Sequence, residues 1–389
     1  MPVSNSIADR ADEIAQWRRD YHRHPELLYD VHRTAADVAA KLHAFGCDEV
    51  VEGLGRTGVV GVIRGRSSGS GRVVGLRADM DALPISEESG KPWASEIAGK
   101  MHACGHDGHT AMLLGAARHL AETRNFAGTA VVIFQPAEEG GGGGRAMIED
   151  GLVERFGIGE FYGMHNMPGL PVGHFAIRPG AMMASADHFT IAIEGRGGHA
   201  AKPHATVDPV LVGAHMVQAL QSVVSRNVDP LKSAVVSVTT FHAGDAFNVI
   251  ASRASITGTA RALEPVVRDL VERRMSEIVQ NVAAAFGASA QFTYLRNYPV
   301  TVNDPDATEH AAEAARAVAG ALAVDAAHPP MMGGEDFSFM LEKRPGAMIF
   351  IGNGDSAGLH HPAYDFNDAA IPYGASYWVE IVESRLPAA

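Results

Sequence analysis

Apolar residues in the first half of the chain alternate between two spacings, that of an amphipathic helix and that of a buried strand. The helical spacing predicts helices over residues 7–22, 34–45 and about 109–123. Continuous apolar runs predict buried strands over residues 58–64, 73–78, 129–134 and 161–164. This alternation is typical of a layered α/β domain, in which helices cover a largely parallel sheet.

From about residue 187 the order of the predicted elements changes. It runs strand 188–194, helix 208–225, strand 234–241, strand 254–260, helix 265–286 and strand 289–296. This βαββαβ order is typical of a self-contained ferredoxin-like α+β unit. The mixed pattern then returns, with a helix over about 306–321, a strand over 347–351 and a helix over 370–385. We therefore predict one discontinuous α/β domain, residues 1–186 and 299–389, interrupted by an inserted domain, residues 187–298.

Length and composition indicate a folded protein with more than one domain. A chain of 389 residues is longer than a single hydrophobic core usually accommodates. Its composition, with 46% apolar and 20% charged residues, is typical of globular proteins. We expect no membrane association, because no apolar stretch approaches the roughly 18 residues that a bilayer crossing needs. The first residues lack a basic region followed by an apolar run, so we expect a cytoplasmic protein. A formal net charge of −13 argues against nucleic acid as a partner.

Two short segments concentrate residues of the types that bind metal ions. Residues 102–109 read His-Ala-Cys-Gly-His-Asp-Gly-His, and residues 135–139 read Gln-Pro-Ala-Glu-Glu. His165, in Gly-Met-His-Asn, and His360, in Leu-His-His-Pro, add two further imidazoles. This supply of thiolate, imidazole and carboxylate donors suffices for two metal ions, which can activate a shared water. The pattern therefore indicates a metal-dependent hydrolase.

The predicted strands bring these groups toward one edge of the sheet. Glu138 and Glu139 follow one strand and His165 follows another, and ligands of open α/β sheets bind beyond the carboxyl ends of strands. Adjacent side chains on an extended segment point to opposite sides, so we expect one glutamate to bind metal and the other to face the attacking water. Asp79 and Asp81 also follow a strand. Asp81 is the catalytic candidate of the pair, and turn capping is the alternative role of both.

Several residues near these motifs have more than one possible role. Cys104 could be a metal ligand, the nucleophile of a Cys/His hydrolase, or a structural residue. His102 and His109 are candidates for orienting the ligands. The glycine run at 140–144 is not followed by Lys and Ser or Thr, which argues against a phosphate loop. The double glycine of Gly333-Gly-Glu-Asp-Phe337 indicates a close approach to a site, although the segment could merely begin a helix.

Further motifs occur in order along nearly the whole chain. They are His24-Pro-Glu-Leu27, Arg77-Ala-Asp-Met-Asp-Ala-Leu-Pro84, Met101-His-Ala-Cys-Gly-His-Asp-Gly-His-Thr110, Phe134-Gln-Pro-Ala-Glu-Glu139, Gly163-Met-His-Asn166, Gly197-Gly-His-Ala-Ala-Lys-Pro-His204, Phe247-Asn-Val-Ile250, Gly333-Gly-Glu-Asp-Phe-Ser338 and Leu359-His-His-Pro362. Together they resemble the dinuclear metallo-aminoacylase and carboxypeptidase family. The resemblance is to its amidohydrolase branch, which contains hippurate hydrolases, N-acyl amino-acid amidohydrolases and auxin-conjugate hydrolases.

This resemblance implies roles for individual residues. The implied metal ligands are Cys104, His106, Glu139, His165 and His360. The Cys104 thiolate would bridge two divalent ions, which could be Zn, Mn, Co or Ni. Glu138 would be the general base, and His199 would donate a hydrogen bond to the oxyanion. The discontinuous domain would be catalytic, and the inserted domain would be a lid and the interface of a homodimer. His199 would then act in the partner subunit's site.

The implied reaction is hydrolysis of the amide bond of an N-acyl amino acid by a water activated between the two ions. Asn248 and Arg261 are the candidates for binding the amino-acid carboxylate. A dipeptidase or carboxypeptidase of the same wider family is the nearest alternative. An amidase with Cys104 as nucleophile would survive chelation of metal. A non-catalytic metal-dependent binding protein would have no need of Glu138.

Overall fold

The computed structural model describes residues 3–69 and 71–388, which form two compact units. The first unit contains the described residues up to Met182, then Val302–Pro329, and then those from Asp336 onward. The second unit contains Met183–Thr301 and the short segment Pro330–Glu335. This second unit is a few residues longer at both ends than the predicted inserted domain. It also includes Pro330–Glu335, which was predicted to belong to the second part of the discontinuous domain.

Strands lie in both units and range from 2 to 10 residues in length. Their bounds are β1 (Glu49–Leu54), β2 (Gly58–Arg64), β3 (Val73–Asp79), β4 (Thr129–Gln135), β5 (Glu160–Pro168), β6 (Phe175–Ala176), β7 (Gly180–Met183), β8 (Ser185–Glu194), β9 (Gly198–His199), β10 (Ala234–Ala243), β11 (Val249–Ile250), β12 (Arg253–Ala262), β13 (Ser289–Tyr298), β14 (Thr301–Asn303), β15 (Val324–Asp325) and β16 (Gly346–Gly354).

The α-helices precede the first strand, follow the last one and lie between some of the others. Their bounds are α1 (Asn5–Ala8), α2 (Ala11–Arg23), α3 (His32–Phe45), α4 (His106–Thr123), α5 (Gly143–Glu149), α6 (Leu152–Phe156), α7 (Pro209–Ser222), α8 (Pro265–Ala285), α9 (Pro305–Ala319), α10 (Ser338–Leu341) and α11 (Ile371–Arg385). Within residues 3–69 and 71–388, none of the helices combines the length and the apolar composition that a bilayer crossing requires.

The first unit is built on an eight-stranded sheet in the order β1-β2-β4-β3-β5-β16-β6-β15. Its centre is parallel, because β3 pairs with β4 and β5, and β5 pairs with β16, in the same direction. Strands β1 and β2 form an antiparallel edge. The central strands are almost entirely buried, as expected for parallel strands that are covered on both faces. The predicted layered α/β fold is therefore confirmed.

Helix α4 lies in the middle of the first unit and carries candidate site residues at its start. Every residue from His106 to Ala117 is buried, and the helix packs against α2, α3, α11 and β3. Burial of side chains such as Leu113 and Leu114 stabilises the fold by about 1.5–3 kcal/mol each. Because the polar first turn is buried as well, His106, Asp107 and His109 need partners inside the protein.

Three local predictions were wrong. The predicted helix over 7–22 is two helices, because Arg10 has a non-helical backbone conformation (φ −110°, ψ 5°). Strand β5 does not end at Met164 but continues to Pro168, so His165 lies within the strand, opposite Phe350 of β16. Strand β1 was not predicted, because most of this edge strand is exposed or half-buried and therefore lacks a continuous apolar run.

The second unit has the predicted ferredoxin-like architecture. Its four-stranded sheet has the order β10-β12-β8-β13, with every neighbouring pair antiparallel, and α7 and α8 pack on it. Along β8, Phe189, Ile191 and Ile193 are buried, whereas the residues between them are exposed. A separate ribbon pairs β9 with β11, which places His199 opposite Val249.

Candidate metal centre

The structure brings together the five side chains that the family resemblance nominated as metal ligands. All of them belong to the first unit. Ligand atoms of Cys104, His106 and His165 lie within 4.8 Å of one another, and so do those of Cys104, Glu139 and His360. The Cys104 Sγ atom is 3.4 Å from His165 Nε2. Cys104 is a member of both groups, so its thiolate is placed where two cations could share it.

Hydrogen bonds to main-chain carbonyls orient two of the imidazoles. His106 Nδ1 lies 2.7 Å from the Asp81 carbonyl oxygen, and His165 Nδ1 lies 2.7 Å from that of Asn166. A carbonyl oxygen only accepts, so each Nδ1 carries a hydrogen, and when either ring is in its neutral form the lone pair lies on Nε2. Both Nε2 atoms belong to the cluster around Cys104. These rings are therefore prepared to bind a cation.

Two buried polar atoms of the cluster lack hydrogen bonds. His106 Nε2 and Glu139 Oε1 have no hydrogen-bond partner among the described residues. Glu139 Oε1 lies 3.9 Å from His106 Nε2 and 3.4 Å from His360 Nε2. A buried polar atom without a partner costs about 1–3 kcal/mol, so such atoms call for a ligand. A divalent cation satisfies lone pairs on nitrogen, oxygen and sulfur together, and the residues present fit a metal centre.

Unusual backbone conformations present two of the ligands. Gly105, between Cys104 and His106, has φ +87°, and a Cβ atom there would lie 2.3 Å from Asn166 Nδ2. Glycine is therefore required at this turn, both for its backbone angle and for space. His360 also has a left-handed backbone (φ +63°), and its N–H donates to the Ala103 carbonyl at 2.7 Å. This bond ties the His360 loop to the segment that carries Cys104.

The two adjacent glutamates do not lie on an extended segment, and that expectation was wrong. They lie in a turn that follows Ala137, which has φ +56°. The Asp81 carboxylate accepts hydrogen bonds from both main-chain N–H groups, at 2.9 Å from Glu138 and 3.1 Å from Glu139. Burial raises the pKa of Asp81. These contacts hold the main chain of both glutamates against the Asp81 carboxylate.

Asp79 and His109 support the centre from the side. Asp79 Oδ1 accepts from His109 Nδ1 at 2.6 Å, and His109 Nε2 accepts from the Asn166 N–H at 2.9 Å. Both ring nitrogens of His109 are thus occupied, although Asp79, His106 and His109 also lie close together. The Asp79 pKa is lowered well below its usual value, because His106 and Arg77 outweigh the effect of burial. The contacts of His109 agree with an orienting role.

His102 lies apart from the metal-ligand groups. Its ring is buried, and neither nitrogen has a partner among the described residues. Burial lowers the pKa of His102 to about 3, so the ring is neutral at physiological pH. Its neighbour His22, with its ring centroid 6.3 Å away, bonds to Asp107 Oδ2 at 2.8 Å. The Asp107 carboxylate therefore links the first turn of α4 to α2.

The electrostatics of the centre favour a cation. Burial lowers the pKa of His106, but the carboxylates of Asp79 and Asp81 raise it to about 10. The Cys104 pKa is raised well above its usual value, first by burial and then by Glu139. The His165 pKa is lowered well below its usual value by burial and by His109. A buried thiol among carboxylates needs a bound cation to ionise.

The three candidate residues of the second unit are also placed. His199 is exposed, and its Nδ1 accepts the Ala201 N–H at 3.1 Å. Asn248 is also exposed. Its main-chain carbonyl accepts a hydrogen bond from the Ala200 N–H at 3.1 Å, which keeps Asn248 close to His199. Arg261 is half-buried on β12, where burial lowers its pKa. No other described residue forms a hydrogen bond or an ion pair with its side chain.

Sequence reasoning did not assign a role to several residues behind the centre. Asn166 Nδ2 donates to the Cys104 carbonyl at 2.6 Å, and its Oδ1 accepts from the Tyr364 hydroxyl at 2.7 Å. Arg77 and Asp336 are fully buried partners, 3.0 Å apart. Asn166 is adjacent to the candidate ligand His165, and Arg77 lies two residues from Asp79, so position in the sequence was the available signal for both. For Asp336 the signal was the double glycine that precedes it, which indicates a close approach to a site.

The chain is similar to a protein family and to several individual proteins. The model of peptidase family M20/M25/M40 matches residues 75–384. A hippurate hydrolase of Campylobacter jejuni is 44% identical over 381 residues, which cover 98% of each chain. An N-acetylcysteine deacetylase of Bacillus subtilis is 40% identical over 96% of this chain and 98% of the relative. A crystal structure from Bacillus subtilis, a dinuclear metal binding peptidase from the M20 family, has a TM-score of 0.84 and 35% identity over 97% of this chain and 99% of that one.

Proposed function

The chain belongs to peptidase family M20/M25/M40 and is an amidohydrolase, and from that premise we propose that it hydrolyses N-acyl amino acids with the help of two divalent metal ions. The observation that carries this proposal is the cluster of five donor side chains, which contains two buried ligand atoms without hydrogen bonds to the described residues and lies beside Glu138. The names of the two similar enzymes, a hippurate hydrolase and an N-acetylcysteine deacetylase, both denote cleavage of an acyl–amino acid amide.

Metal ions at this centre would be held by Cys104, His106, Glu139, His165 and His360. Divalent ions supply acidity there, because they lower the pKa of water and polarise a carbonyl group. The remaining chemistry belongs to Glu138, whose carboxylate is buried among the ligands. It takes a proton from the attacking water and returns it to the leaving amine nitrogen.

Residues of the second unit would recognise the substrate. In the proposed mechanism His199 donates a hydrogen bond to the carbonyl oxygen as it becomes an oxyanion. Asn248 and Arg261 bind the carboxylate of the amino acid. The absence of a described partner for Arg261 supports this role, since a half-buried guanidinium gains most from an anionic ligand.

The electrostatics argue against Cys104 as a nucleophile. Cysteine nucleophiles need a lowered pKa, usually from a neighbouring imidazolium. Here burial and the nearby carboxylates raise the Cys104 pKa, while burial lowers that of His165. A cation is needed to produce the thiolate, which supports the metal-ligand role.

The proposed function is tested with purified protein and a panel of benzoyl, acetyl and indoleacetyl amino acids, with dipeptides as the matched comparison. We expect hydrolysis of at least one acyl class with kcat/KM above that for the dipeptides. Chelation should abolish this activity, and readdition of Zn, Mn, Co or Ni should restore it. Activity that survives removal of all metal would favour the Cys104 mechanism. Dipeptides as the better substrates would favour the peptidase alternative.

We also propose that the protein forms a homodimer through the second unit and that His199 serves the partner subunit's site. In a two-fold symmetric dimer each subunit would place its own His199 in the site of the other subunit. Mixing inactive variants tests the exchange. Glu138→Ala and His199→Ala homodimers should each be nearly inactive. A mixed dimer would contain one doubly damaged site and one intact site, and about half of randomly exchanged dimers are mixed.

The expected result of mixing is recovery of roughly a quarter of wild-type activity. Separate affinity tags on the two variants confirm that mixed dimers form. Tagged mixed dimers without recovered activity would show that His199 acts within its own chain. As a control, Glu138→Ala protein taken alone through the same exchange procedure must stay inactive.

A further inference from the structure

One buried carboxylate holds both ends of the loop that carries Glu138. The loop covers residues 136–142, between Gln135 at the end of β4 and Gly143 at the start of α5, and Gly144 is the second residue of that helix. Asp336 Oδ1 accepts from Gln135 Nε2 at 2.7 Å, and Asp336 Oδ2 accepts from the Gly144 N–H at 2.8 Å. Asp336 is fully buried, so water does not compete for these bonds.

Arg77 fixes Asp336 in turn. Its guanidinium donates to Asp336 Oδ1 at 3.0 Å, to Gln135 Oε1 at 2.9 Å and to Asp79 Oδ2 at 2.8 Å. Arg77 is itself fully buried. Planar guanidinium groups hold several acceptors in a fixed arrangement, so Asp336 has little freedom to move. The same arginine thus connects the loop ends to the carboxylate that orients His109.

Close packing keeps the loop in one shape. A Cβ atom on Gly143 would lie 1.7 Å from the Pro136 carbonyl oxygen, so the two ends of the loop touch through their main chains. Ala137 is held in a left-handed conformation immediately before Glu138. A non-glycine residue in that conformation costs about 1–3 kcal/mol and persists only when its surroundings enforce it. Asp81 binds the main chain in the middle of the loop, at Glu138. Asp336 binds the residues at its two ends, Gln135 and Gly144.

We infer that Asp336 is a positioning residue for Glu138. Carboxylate oxygens of the two residues lie within 4.8 Å of each other. Asp336 acts through the loop: it holds Gln135 and Gly144, and thereby sets where the Glu138 carboxylate stands relative to the ligands. This inference rests on the proposed role of Glu138 in amide hydrolysis. Misplacement of a catalytic group by about 1 Å can lower a rate by about a hundredfold.

The test is the isosteric substitution Asp336→Asn. All three of the bonds described above are donated to Asp336, so an amide NH₂ group must face a donor. If the asparagine oxygen keeps accepting from Arg77 and Gln135, its NH₂ group faces the Gly144 N–H, and the two donors cannot form a hydrogen bond. We expect kcat to fall by about tenfold or more, with KM and metal content changed less than about twofold.

A charge-swapped variant keeps the test informative if the single variant folds poorly. In Gln135→Glu/Asp336→Asn the new amide can donate to the new carboxylate while its oxygen accepts from Gly144, and Arg77 keeps its bond to residue 135 but loses its acceptor at residue 336. Because two of the three bonds at residue 336 are restored, we expect this double variant to recover part of the lost kcat. The matched control is Glu160→Gln, which removes another buried carboxylate bonded to arginines, at the start of β5. It should lower the melting temperature without a selective loss of kcat.

The outcomes separate this inference from the proposed function. Wild-type protein without amidase activity on the substrate panel would overturn the proposed function itself. Active wild type together with folded, metal-loaded Asp336→Asn at wild-type kcat would overturn only the positioning role. A loss of kcat in Asp336→Asn no larger than that in Glu160→Gln, with no recovery in the swapped variant, would show that Asp336 merely stabilises the fold.

Discussion

Glu138→Gln is expected to leave both metal ions bound and to lower kcat by at least about a hundredfold. Glutamine has nearly the shape of glutamate and can still occupy the turn whose N–H groups bond to Asp81. It cannot accept a proton from water at neutral pH or return one to the leaving nitrogen. The loss should therefore fall on kcat, while KM changes little.

The neighbouring glutamate provides the matched comparison. Glu139→Gln removes a charge whose oxygen lies among the imidazoles of His106 and His360, so this variant should lose metal as well as activity. Metal analysis by mass spectrometry and steady-state kinetics on both variants distinguish the two roles. Normal metal occupancy with near-normal turnover in Glu138→Gln would contradict the general-base assignment.

Cys104→Ser is expected to weaken metal binding strongly, so that the variant is inactive at low metal concentration and partly active when metal is added. A serine hydroxyl stays protonated where a thiol bound to a cation gives up its proton. The effect should be large because Cys104 belongs to both groups of candidate ligands, so its loss affects both ions. Titration of metal-free protein with Zn or Mn, followed by activity, measures the shift in affinity.

The other cysteine offers a control. Cys47 is half-buried at the edge of the core, where burial raises its pKa to about 12, and it lies outside both groups of candidate ligands. Cys47→Ser should leave metal affinity and turnover unchanged. If substrate labelling traps an acyl group on Cys104, or if Cys104→Ser binds metal as the wild type does, the bridging role is wrong and the nucleophile mechanism is favoured.

The sequence predicted the elements of the fold well where apolar runs were long. Strand β2 begins and ends where expected, and β3 and β4 extend only one residue beyond their predicted ends. Short or exposed elements were missed, such as β1 and α5, because an edge strand or a two-turn helix buries too little apolar surface to leave a pattern. His165 was placed after its strand for a related reason, since pairing with β16 extends β5 through polar positions.

The sequence by itself determined the types and rough neighbourhood of the chemical groups. A cysteine, histidines and paired glutamates in short motifs indicated a metal-dependent hydrolase, and the family resemblance named the individual ligands. The family and the layered α/β fold are confirmed by the comparisons and the structure. This information is local, because motif spacing and apolar periodicity are properties of consecutive residues.

Only the tertiary structure decided what each polar group does with its hydrogen bonds. His109 stands three residues from His106 in the same motif, yet its nitrogens are taken by Asp79 and Asn166, whereas Nε2 of His106 is left without a partner. Asp336 is about 200 residues from the loop it holds. Such roles depend on which atoms meet after the chain folds and on the exclusion of water from the contacts, and neither is set by neighbours in the sequence.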